Sequence, residues 1–482
     1  MDHSAEKVLD TIVFDIGSTF TKATAFAEKD GQLIWAARAQ APTTVEDIGR
    51  GLQAALQNLA EALHCQSVTA KAMLSTSSAA GGLRMVAMGY MPRVTAKAAK
   101  EVAMNAGARV LEVMSFEDHT ENKFEMLQEI NPDIILLAGG TDGGDTDSMM
   151  NDAKIIVSSK VKATVVIAGN TAAQPAVNAI LQAAGLKTVR VPNVMPTIHE
   201  LRVIPAREAI HEQFIRQITE AKGLGNLIDR LTEKKVVPTP GAVLMAAELL
   251  AQGSHEEDGI GSLVVIDLGG ATTDIHSVIP ELEELSIEER GLVITNEKQT
   301  AFRTVEGNLG LRVSARGIVE AAGAKAVAAR IGLTGEEVEQ ELAAYASSLE
   351  EQPEYLAVTE REKLFDRALA ETAVEIALKR HAGYISQQFD PVMGIVPGTP
   401  VGRDLRKVKT IIAVGGIFAS LPDEEVRGII AQALANPGIS LFPPANAKVL
   451  IDRQYLLYAV GRLADRRPAA ALAFAKNHFG IE

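Results

Sequence analysis

Two apolar, β-branched runs that lie far apart in the chain end in the same way. Thr11–Lys22 has the sequence TIVFDIGSTFTK and Leu263–Ile275 has the sequence LVVIDLGGATTDI, so each run ends in Asp, then Gly, then small hydroxyl residues. Such a pattern predicts a buried strand that enters a tight turn. One such turn is common, but two predict a duplicated nucleotide-binding fold with a cleft between its halves.

The rest of the pattern alternates between strand and helix. A hairpin is predicted around Glu28–Gln32, and an amphipathic helix over Val45–Leu63. Between the two Asp-Gly runs, Gly81–Pro196 alternates short apolar runs with helical segments, which is typical of a parallel sheet. We therefore predict an inserted parallel α/β unit in the first half.

Further elements follow in the second half of the chain. Helices are predicted over Ile204–Lys222 and Pro238–Gln252, and two charge-rich surface helices over Ile331–Tyr355 and Glu360–His381. Lys409–Ser420 is predicted to be a strand that ends in Gly415 and Gly416. A glycine pair at a strand end lets a flat ring approach the backbone, because no Cβ obstructs it.

Composition and charge exclude several classes of function. The 482 residues carry a formal net charge of -14 and no basic block, which argues against nucleic-acid binding. Cys65 is the single cysteine, so it can form neither an intramolecular disulfide nor a cysteine-based metal site, and we expect an inert thiol. No apolar run reaches the roughly 18 residues of a membrane-spanning helix. We therefore expect a cytoplasmic protein without a signal peptide.

The two Asp-Gly loops carry the candidate chemistry. Their hydroxyl groups and successive backbone amides suit the phosphates of ATP or ADP. Asp15 and Asp267 are predicted to be the catalytic carboxylates and to bind Mg²⁺ through water, because Mg²⁺ keeps several waters. Lys22 either neutralises phosphate charge or faces solvent, and Asp274 either contacts the ligand or supports its loop. The candidate cofactor-binding residues of these loops are Gly17, Ser18, Thr19, Thr21, Lys22, Gly269, Gly270, Ala271, Thr272 and Thr273.

Other candidate sites are weaker. The glycine-rich loop Ala138–Gly144 follows a predicted strand but lacks the G-x-G-x-x-G spacing, so a structural or interface role is favoured over anion binding. The histidines form no H-E-x-x-H motif, and Asp118-His119 does not have the D-x-H-x-x-G spacing that supplies a cobalt-ligating histidine. We therefore do not expect the chain to carry cobalamin in that way.

The order of Asp-Gly loop, Asp-Gly loop and strand-Gly-Gly resembles the actin, sugar kinase and heat-shock chaperone ATPase superfamily. Pro238–Ala242 resembles the opening of a helix in those chaperones, and Glu306–Gly310 resembles the superfamily's turn into its adenosine-contacting helix. The resemblance implies duplicated ribonuclease H-like halves. It also implies nucleotide contacts at Gly307, Gly310, Gly415 and Gly416.

A narrower resemblance covers nearly the whole chain. The segments Ser77–Pro92 and Asp133–Gly144, with VIDLGGATTDIHSV and RTVEGNLG, are similar to the glutamate mutase accessory (MutL/GlmL) family, which is distinct from the mismatch-repair protein of the same short name. This implies a slow ATPase that serves a cobalamin-dependent carbon-skeleton mutase as a chaperone or reactivating factor. Asn308 stands where an acidic residue is expected, which would weaken catalysis if that acid holds metal or water.

These inferences give one organisation and two alternative functions. The predicted parts are residues 1–80 (first half of the core), 81–196 (inserted domain), 197–262 (helical return) and 263–482 (second half). The alternatives are a small-molecule kinase of the same fold, for which no catalytic base can be named, and a nucleotide-dependent scaffold. Homo-oligomerisation is left open.

Overall fold

A computed structural model of the chain shows two compact units. It describes residues 6–17, 20–42, 48–77, 84–89, 109–115, 117–197, 202, 205–206, 208–210, 212–213, 236–279, 300–390 and 394–481. Unit 1 comprises Met1–Ala242 and Ile294–Gln299, and unit 2 comprises Val243–Val293 and Thr300–Glu482. The finer domain boundaries after residues 80, 196 and 262 stay predictions.

The first sheet of unit 1 carries the first Asp-Gly run at the end of its central strand. Its strands are β1 (Glu6–Ile16), β2 (Phe20–Lys29), β3 (Gln32–Pro42), β4 (Ser67–Ser77) and β10 (Val236–Pro238), in the order β10-β4-β1-β2-β3. The first three strands pair antiparallel, and β1, β4 and β10 pair parallel. Helix α1 (Ile48–Ala62) buries Leu52 and Leu59 against this sheet, as its predicted periodicity requires.

The inserted part of unit 1 is a parallel sheet, as predicted. Strands β5 (Arg84–Met88), β6 (Arg109–Met114), β7 (Ile134–Leu137), β8 (Thr164–Ile167) and β9 (Thr188–Arg190) lie in the order β6-β5-β7-β8-β9. Its helices are α2 (Thr120–Ile130), α3 (Asp147–Ser159) and α4 (Gln174–Ala183). One face of this sheet packs on these helices, and the other joins the core of the first sheet.

The central sheet of unit 2 repeats the arrangement of the first. Strands β11 (Leu263–Leu268), β12 (Thr273–Val278) and β13 (Ala301–Glu306) pair antiparallel, while β16 (Thr410–Val414) and β17 (Lys448–Ile451) continue it in parallel from β11. Both sheets therefore have three antiparallel strands followed by two parallel ones. This repeated order confirms the prediction of duplicated ribonuclease H-like halves with an inserted parallel α/β domain.

Helices and a separate hairpin complete unit 2. Helix α5 (Thr239–Gln252) begins in unit 1 and continues into unit 2. The hairpin is β14 (Tyr384–Asp390) with β15 (Gly394–Val401). The remaining helices are α6 (Ala315–Ala322), α7 (Ala324–Ala329), α8 (Glu336–Glu351), α9 (Glu360–His381), α10 (Gly416–Ser420), α11 (Asp423–Leu434), α12 (Leu457–Ala464) and α13 (Pro468–His478).

The prediction that α9 is a surface helix was wrong. Its bounds are as predicted, but Phe365, Leu369 and Leu378 are fully or almost fully buried. Its charged residues are compatible with burial because they are paired: Asp366 binds Arg312 at 2.8 Å, and Glu371 binds Arg367 at 2.9 Å. The start predicted for α5 was wrong by one residue, since Pro238 ends strand β10 and the helix begins at Thr239.

Some predicted helices lie outside the described residues. This applies to Thr95–Ala106, which the sequence also predicts to be helical, and to most of Ile204–Lys222. The hairpin around Glu28–Gln32 is confirmed: Asp30 and Gly31 have φ of 52° and 78°, which suits a tight turn between antiparallel strands.

Candidate functional site

The first Asp-Gly loop holds a buried and fully engaged carboxylate. Asp15, near the end of β1, is 1% exposed. Its Oδ2 accepts a hydrogen bond from Lys22 Nζ at 2.9 Å, and its Oδ1 accepts from Thr76 Oγ1 at 3.1 Å and Thr239 Oγ1 at 2.7 Å. Two strands and one helix therefore supply donors to one carboxylate. These hydrogen bonds offset the free-energy cost of burying its charge.

Lys22 is held by this carboxylate and does not point freely into solvent. It lies directly across from Asp15 in the β1–β2 pair, and its side chain is 21% exposed. The turn between the strands is closed by Gly17 N–H, which donates to the carbonyl of Phe20 at 3.0 Å. A Cβ on Gly17 would lie 2.6 Å from that carbonyl oxygen, so the turn requires glycine. Thr21 is fully buried, and Ser18 and Thr19 lie outside the described residues.

The second Asp-Gly loop repeats the turn but reverses a charge. Gly269 N–H donates to the carbonyl of Thr272 at 2.9 Å, as Gly17 does to Phe20. Asp267, which is half-buried, lies across from Asp274 in the β11–β12 pair. Asp274 thus takes the register position that Lys22 occupies in the first sheet. Asp274 is 7% exposed and is neutralised by Arg303 of β13, whose Nε donates to Asp274 Oδ1 at 2.8 Å.

The two hydroxyls of the second loop are directed into the protein. Thr272 Oγ1 donates to Asp274 Oδ2 at 3.1 Å, and Thr273 Oγ1 donates to the carbonyl of Leu309. In this arrangement Asp274 supports the geometry of the loop. Phosphate contacts from this loop would therefore come from the backbone N–H groups of the exposed Gly270 and Ala271.

The turn after β13 is attached to the second loop. The N–H groups of Leu311 and Arg312 donate to the carbonyls of Gly269 and Gly270 at 3.0 and 2.8 Å. A Cβ on Gly310 would lie 2.2 Å from the carbonyl carbon of Ala271, so close contact between two backbones explains this glycine. Gly307 is half-buried and its carbonyl accepts from Ser314 Oγ at 3.4 Å. Asn308 is exposed in the same turn.

The Gly-Gly pair after β16 contains two glycines with different surroundings. Gly415 has φ of 128°, and a Cβ there would lie 2.1 Å from the carbonyl oxygen of Leu268, just before the second loop. Gly416 has open space, since a Cβ there would meet nothing within 4 Å. The position at the start of α10 is therefore open, and the approach of a nucleotide base to it stays a prediction.

The glycine-rich loop of the inserted sheet is held by amide side chains. Asn170 Nδ2 donates to the carbonyls of Gly144 and Asp145 at 3.1 and 3.0 Å, and Asn193 Nδ2 donates to Asp142 Oδ1 at 3.0 Å. Burial raises the pKa of Asp142, but hydrogen bonds from Thr171 and Asn193 outweigh it and hold the pKa below its ordinary value. These contacts fix the shape of the loop, and the structural or interface role expected of Ala138–Gly144 stays a prediction.

Several residues that contact the two loops were not predicted from the sequence. Thr76, Thr239, Arg303 and Arg312 contact the loops or their carboxylates from elsewhere in the sequence. Arg312 also binds Asp366 of α9, so that helix supports the second loop. Only the position of Thr239, at the helix entry before the second run, gave a signal; the others become recognisable once the strand register is known.

No group of three or more His, Cys, Asp or Glu residues suited to a metal ion occurs in the described part of the chain. Water-mediated Mg²⁺ needs fewer carboxylates, and the half-buried Asp267 is compatible with it. At Asp15 a metal-bound water has little access, because this carboxylate is 1% exposed and already accepts from Lys22, Thr76 and Thr239. No helix among the described residues is long and apolar enough to span a bilayer.

Comparison with known proteins identifies relatives along almost the whole chain. Residues 11–479 match the family model described as MutL protein. The chain is 40% identical over 472 residues to the Protein MutL of Clostridium tetanomorphum, which covers 97% of this chain and 98% of that protein.

Solved structures show weaker likenesses. A nucleotide-free acetone carboxylase is 12% identical and covers 95% of this chain and 70% of its own, with a TM-score of 0.40. A glycerol dehydratase reactivase is 11% identical and covers 94% and 99%, with a TM-score of 0.33. The assignment to a family therefore rests on the sequence relatives. On their coverage and identity, the chain belongs to the MutL protein family.

Proposed function

We propose that the chain binds and slowly hydrolyses Mg²⁺-ATP and uses it as an accessory or reactivating factor for a cobalamin-dependent carbon-skeleton mutase such as glutamate mutase. The observation that carries the nucleotide part is the repeated turn. In both central sheets a strand delivers an aspartate, and a glycine N–H closes the following four-residue turn at 2.9–3.0 Å. Membership of the MutL family supports the accessory role.

The residues have separate roles in this proposal. Lys22 supplies positive charge to a phosphate, and Asp15 holds the ammonium group in place. The amides of Gly270 and Ala271 bind phosphate oxygens, while Asp267 orders the waters of Mg²⁺. The bound metal would neutralise charge on the phosphates during hydrolysis. Thr272, Asp274 and Arg303 keep the second loop in shape, and the base of the nucleotide lies over Gly416.

Nucleotide binding is tested by titrating a fluorescent ATP analogue into Asp15→Asn and Asp267→Asn variants. Asn retains a similar shape but removes the charge, so we expect affinity in the presence of Mg²⁺ to fall at least about tenfold, or about 1.4 kcal/mol. Asp404→Asn is the matched control, because Asp404 lies outside both Asp-Gly loops and pairs with its near neighbour Arg406. Unchanged affinity in both variants would contradict the proposed site.

The accessory role needs a separate measurement. Glutamate mutase loaded with inactivated cobalamin is mixed with the chain and either ATP or ADP, and both complex formation and cobalamin release are followed. We expect release to require hydrolysable ATP and to be lost with Asp267→Asn. Full recovery of mutase activity with that variant would contradict the reactivation role, even if ATP binding were established.

A further inference from the structure

The outer edge of the second sheet borders a groove that is separate from the Asp-Gly loops. A cavity of about 600 Å³ lies beside β17, between α11 and the end of α13. This volume is in the range of functional binding pockets. Apolar side chains such as Ile411, Ile430 and Leu434 form part of its lining, and its described lining residues belong to unit 2.

The strand that lines the groove is paired on one side only, within the described part of the chain. β17 is the last strand in the order β13-β12-β11-β16-β17. Lys448 N–H and Asp452 N–H donate to the carbonyls of Lys409 and Ala413 in or next to β16, at 2.9 and 3.0 Å. Because backbone groups point alternately to the two sides of a strand, the N–H groups of Val449 and Ile451 point to the groove. Such an edge is a template for another strand.

The groove also has a distinct charge. Among the described lining residues, Arg427, Lys448, Arg453 and His478 stand against one carboxylate, that of Asp423. Asp423 is bound by both arginines, Arg427 at 3.2 Å, so its charge is compensated. The groove is therefore locally basic, although the whole chain has a formal net charge of -14.

We propose that this groove is a docking site for an extended acidic segment of a partner protein, which adds to β17 as a further strand. The partner's backbone would pair with the outward N–H groups of Val449 and Ile451 and the outward C=O group of Val449, since the C=O of Ile451 already accepts from Arg453 N–H at 3.1 Å. Its acidic side chains would lie near Lys448 and Arg427, and apolar side chains would cover the floor. Main-chain hydrogen bonds give affinity in this mode, and side-chain charge gives selectivity. The site does not depend on the nucleotide chemistry proposed above.

The test uses two short fluorescein-labelled peptides with the full chain. One alternates Val and Glu, and the other alternates Val and Lys. Fluorescence anisotropy should show binding of the acidic peptide and at least about tenfold weaker binding of the basic one. Hydrogen exchange should show protection of residues 448–452 by the acidic peptide.

Variants separate backbone pairing from charge. Val449→Pro removes an N–H that β16 does not use, so it should keep the sheet intact but weaken peptide binding at least about tenfold. Val449→Ala retains that N–H and should bind within about threefold of the unmodified chain. Lys448→Glu should lower affinity about five- to tenfold, whereas Lys325→Glu, on α7 and outside the groove, should not.

The peptide-binding experiments can support or overturn the docking proposal. Unchanged thermal unfolding of Val449→Pro, with lost peptide binding, supports strand addition. If both peptides bind equally, if neither binds, or if Val449→Pro binds normally, the proposal is overturned. Because Asp15→Asn and Asp267→Asn leave the groove untouched, their peptide affinity should remain normal even if ATP binding fails.

Discussion

Single glycines show most directly how the second loop is built. Gly310 touches the backbone of Ala271, whereas Gly416 faces open space. From the sequence alone, both glycines lie in turns that are predicted to contact a nucleotide, and nothing distinguishes them. Their different surroundings separate a glycine required by packing from one available to a ligand.

Gly310→Ala should lower the free energy of unfolding by about 1–3 kcal/mol, because the new Cβ forces the loop and turn apart. Gly416→Ala is the control: its Cβ has room, so stability should stay within about 0.5 kcal/mol. Urea unfolding monitored by circular dichroism measures both. Equal stability of the two variants would show that the contact between Gly310 and Ala271 does not exist in solution.

Two buried histidines should make unit 2 sensitive to mild acid. Burial and the neighbouring Arg303 hold the pKa of His276 well below its ordinary 6.5, and burial, Arg403 and His276 do the same for His381. As the pH falls below 6.5, these two histidines become protonated in the unfolded chain but stay neutral in the folded chain. The free energy of unfolding should then fall by about 1.4 kcal/mol per pH unit for each histidine.

The variant His276→Leu tests this origin of the pH dependence. Neither ring nitrogen of His276 has a hydrogen-bond partner among the described residues, so the substitution removes no bond seen there. Denaturant titrations between pH 6.5 and 5 should give a shallower slope for His276→Leu than for the unmodified chain. The exposed His255→Gln should leave the slope unchanged. The same steep slope in all three proteins would rule out a contribution from His276.

At the level of secondary structure, helix α9 has a complete start signal. Thr359 accepts a hydrogen bond from Glu362 N–H at 3.2 Å, and Glu362 accepts in return from Thr359 N–H at 2.8 Å. This reciprocal pair is a capping box. Glu362 also accepts from Tyr355 and Val358, which fixes the segment before the helix.

The capping box predicts an acid-dependent loss of stability. The Thr359 N–H, then Tyr355 and Val358, lower the pKa of Glu362 to about 2 from 4.5. Its stabilisation is therefore complete above pH 4.5 and is lost as the pH falls towards 2. Glu362→Gln keeps the hydrogen-bonding shape but cannot titrate, so its Tm should depend less on pH in this window. Glu354→Gln, in the same segment, should behave like the unmodified chain. Identical pH profiles for all three proteins would contradict the prediction.

The elements themselves were largely predictable, and the contacts between them were not. The local sequence pattern predicted α1, the hairpin turn and both Asp-Gly turns, because these elements depend on residues that are neighbours in the sequence. It failed for α9, whose charges looked like a solvated face although Arg312, from a distant turn, neutralises Asp366. The donors to Asp15 from Thr76 and Thr239 were missed for the same reason, since strand pairing brings them together over 61 and 224 positions.

For the whole molecule, each unit has its own apolar core. Ile12 is fully buried in the core of unit 1, and Ile266 is fully buried in that of unit 2. Ile12→Val and Ile266→Val should each cost about 0.5–1.5 kcal/mol. Hydrogen exchange followed by mass spectrometry should show faster exchange only in the unit that carries the change. A rise spread equally over both units would mean that the chain unfolds as one cooperative body.

The charge reversal between the two turns bears on how a duplicated chain can diverge. Lys22 in the first sheet and Asp274 in the second occupy the same register position, and Asp274 is buried beside Arg303. An ancestor that acquired Asp274 without Arg303 would have buried an uncompensated carboxylate, at a cost of about 3–5 kcal/mol. A change from Lys to Asp at this register position is therefore tolerated only beside an arginine such as Arg303, and the first sheet has Arg38 at the register position of Arg303.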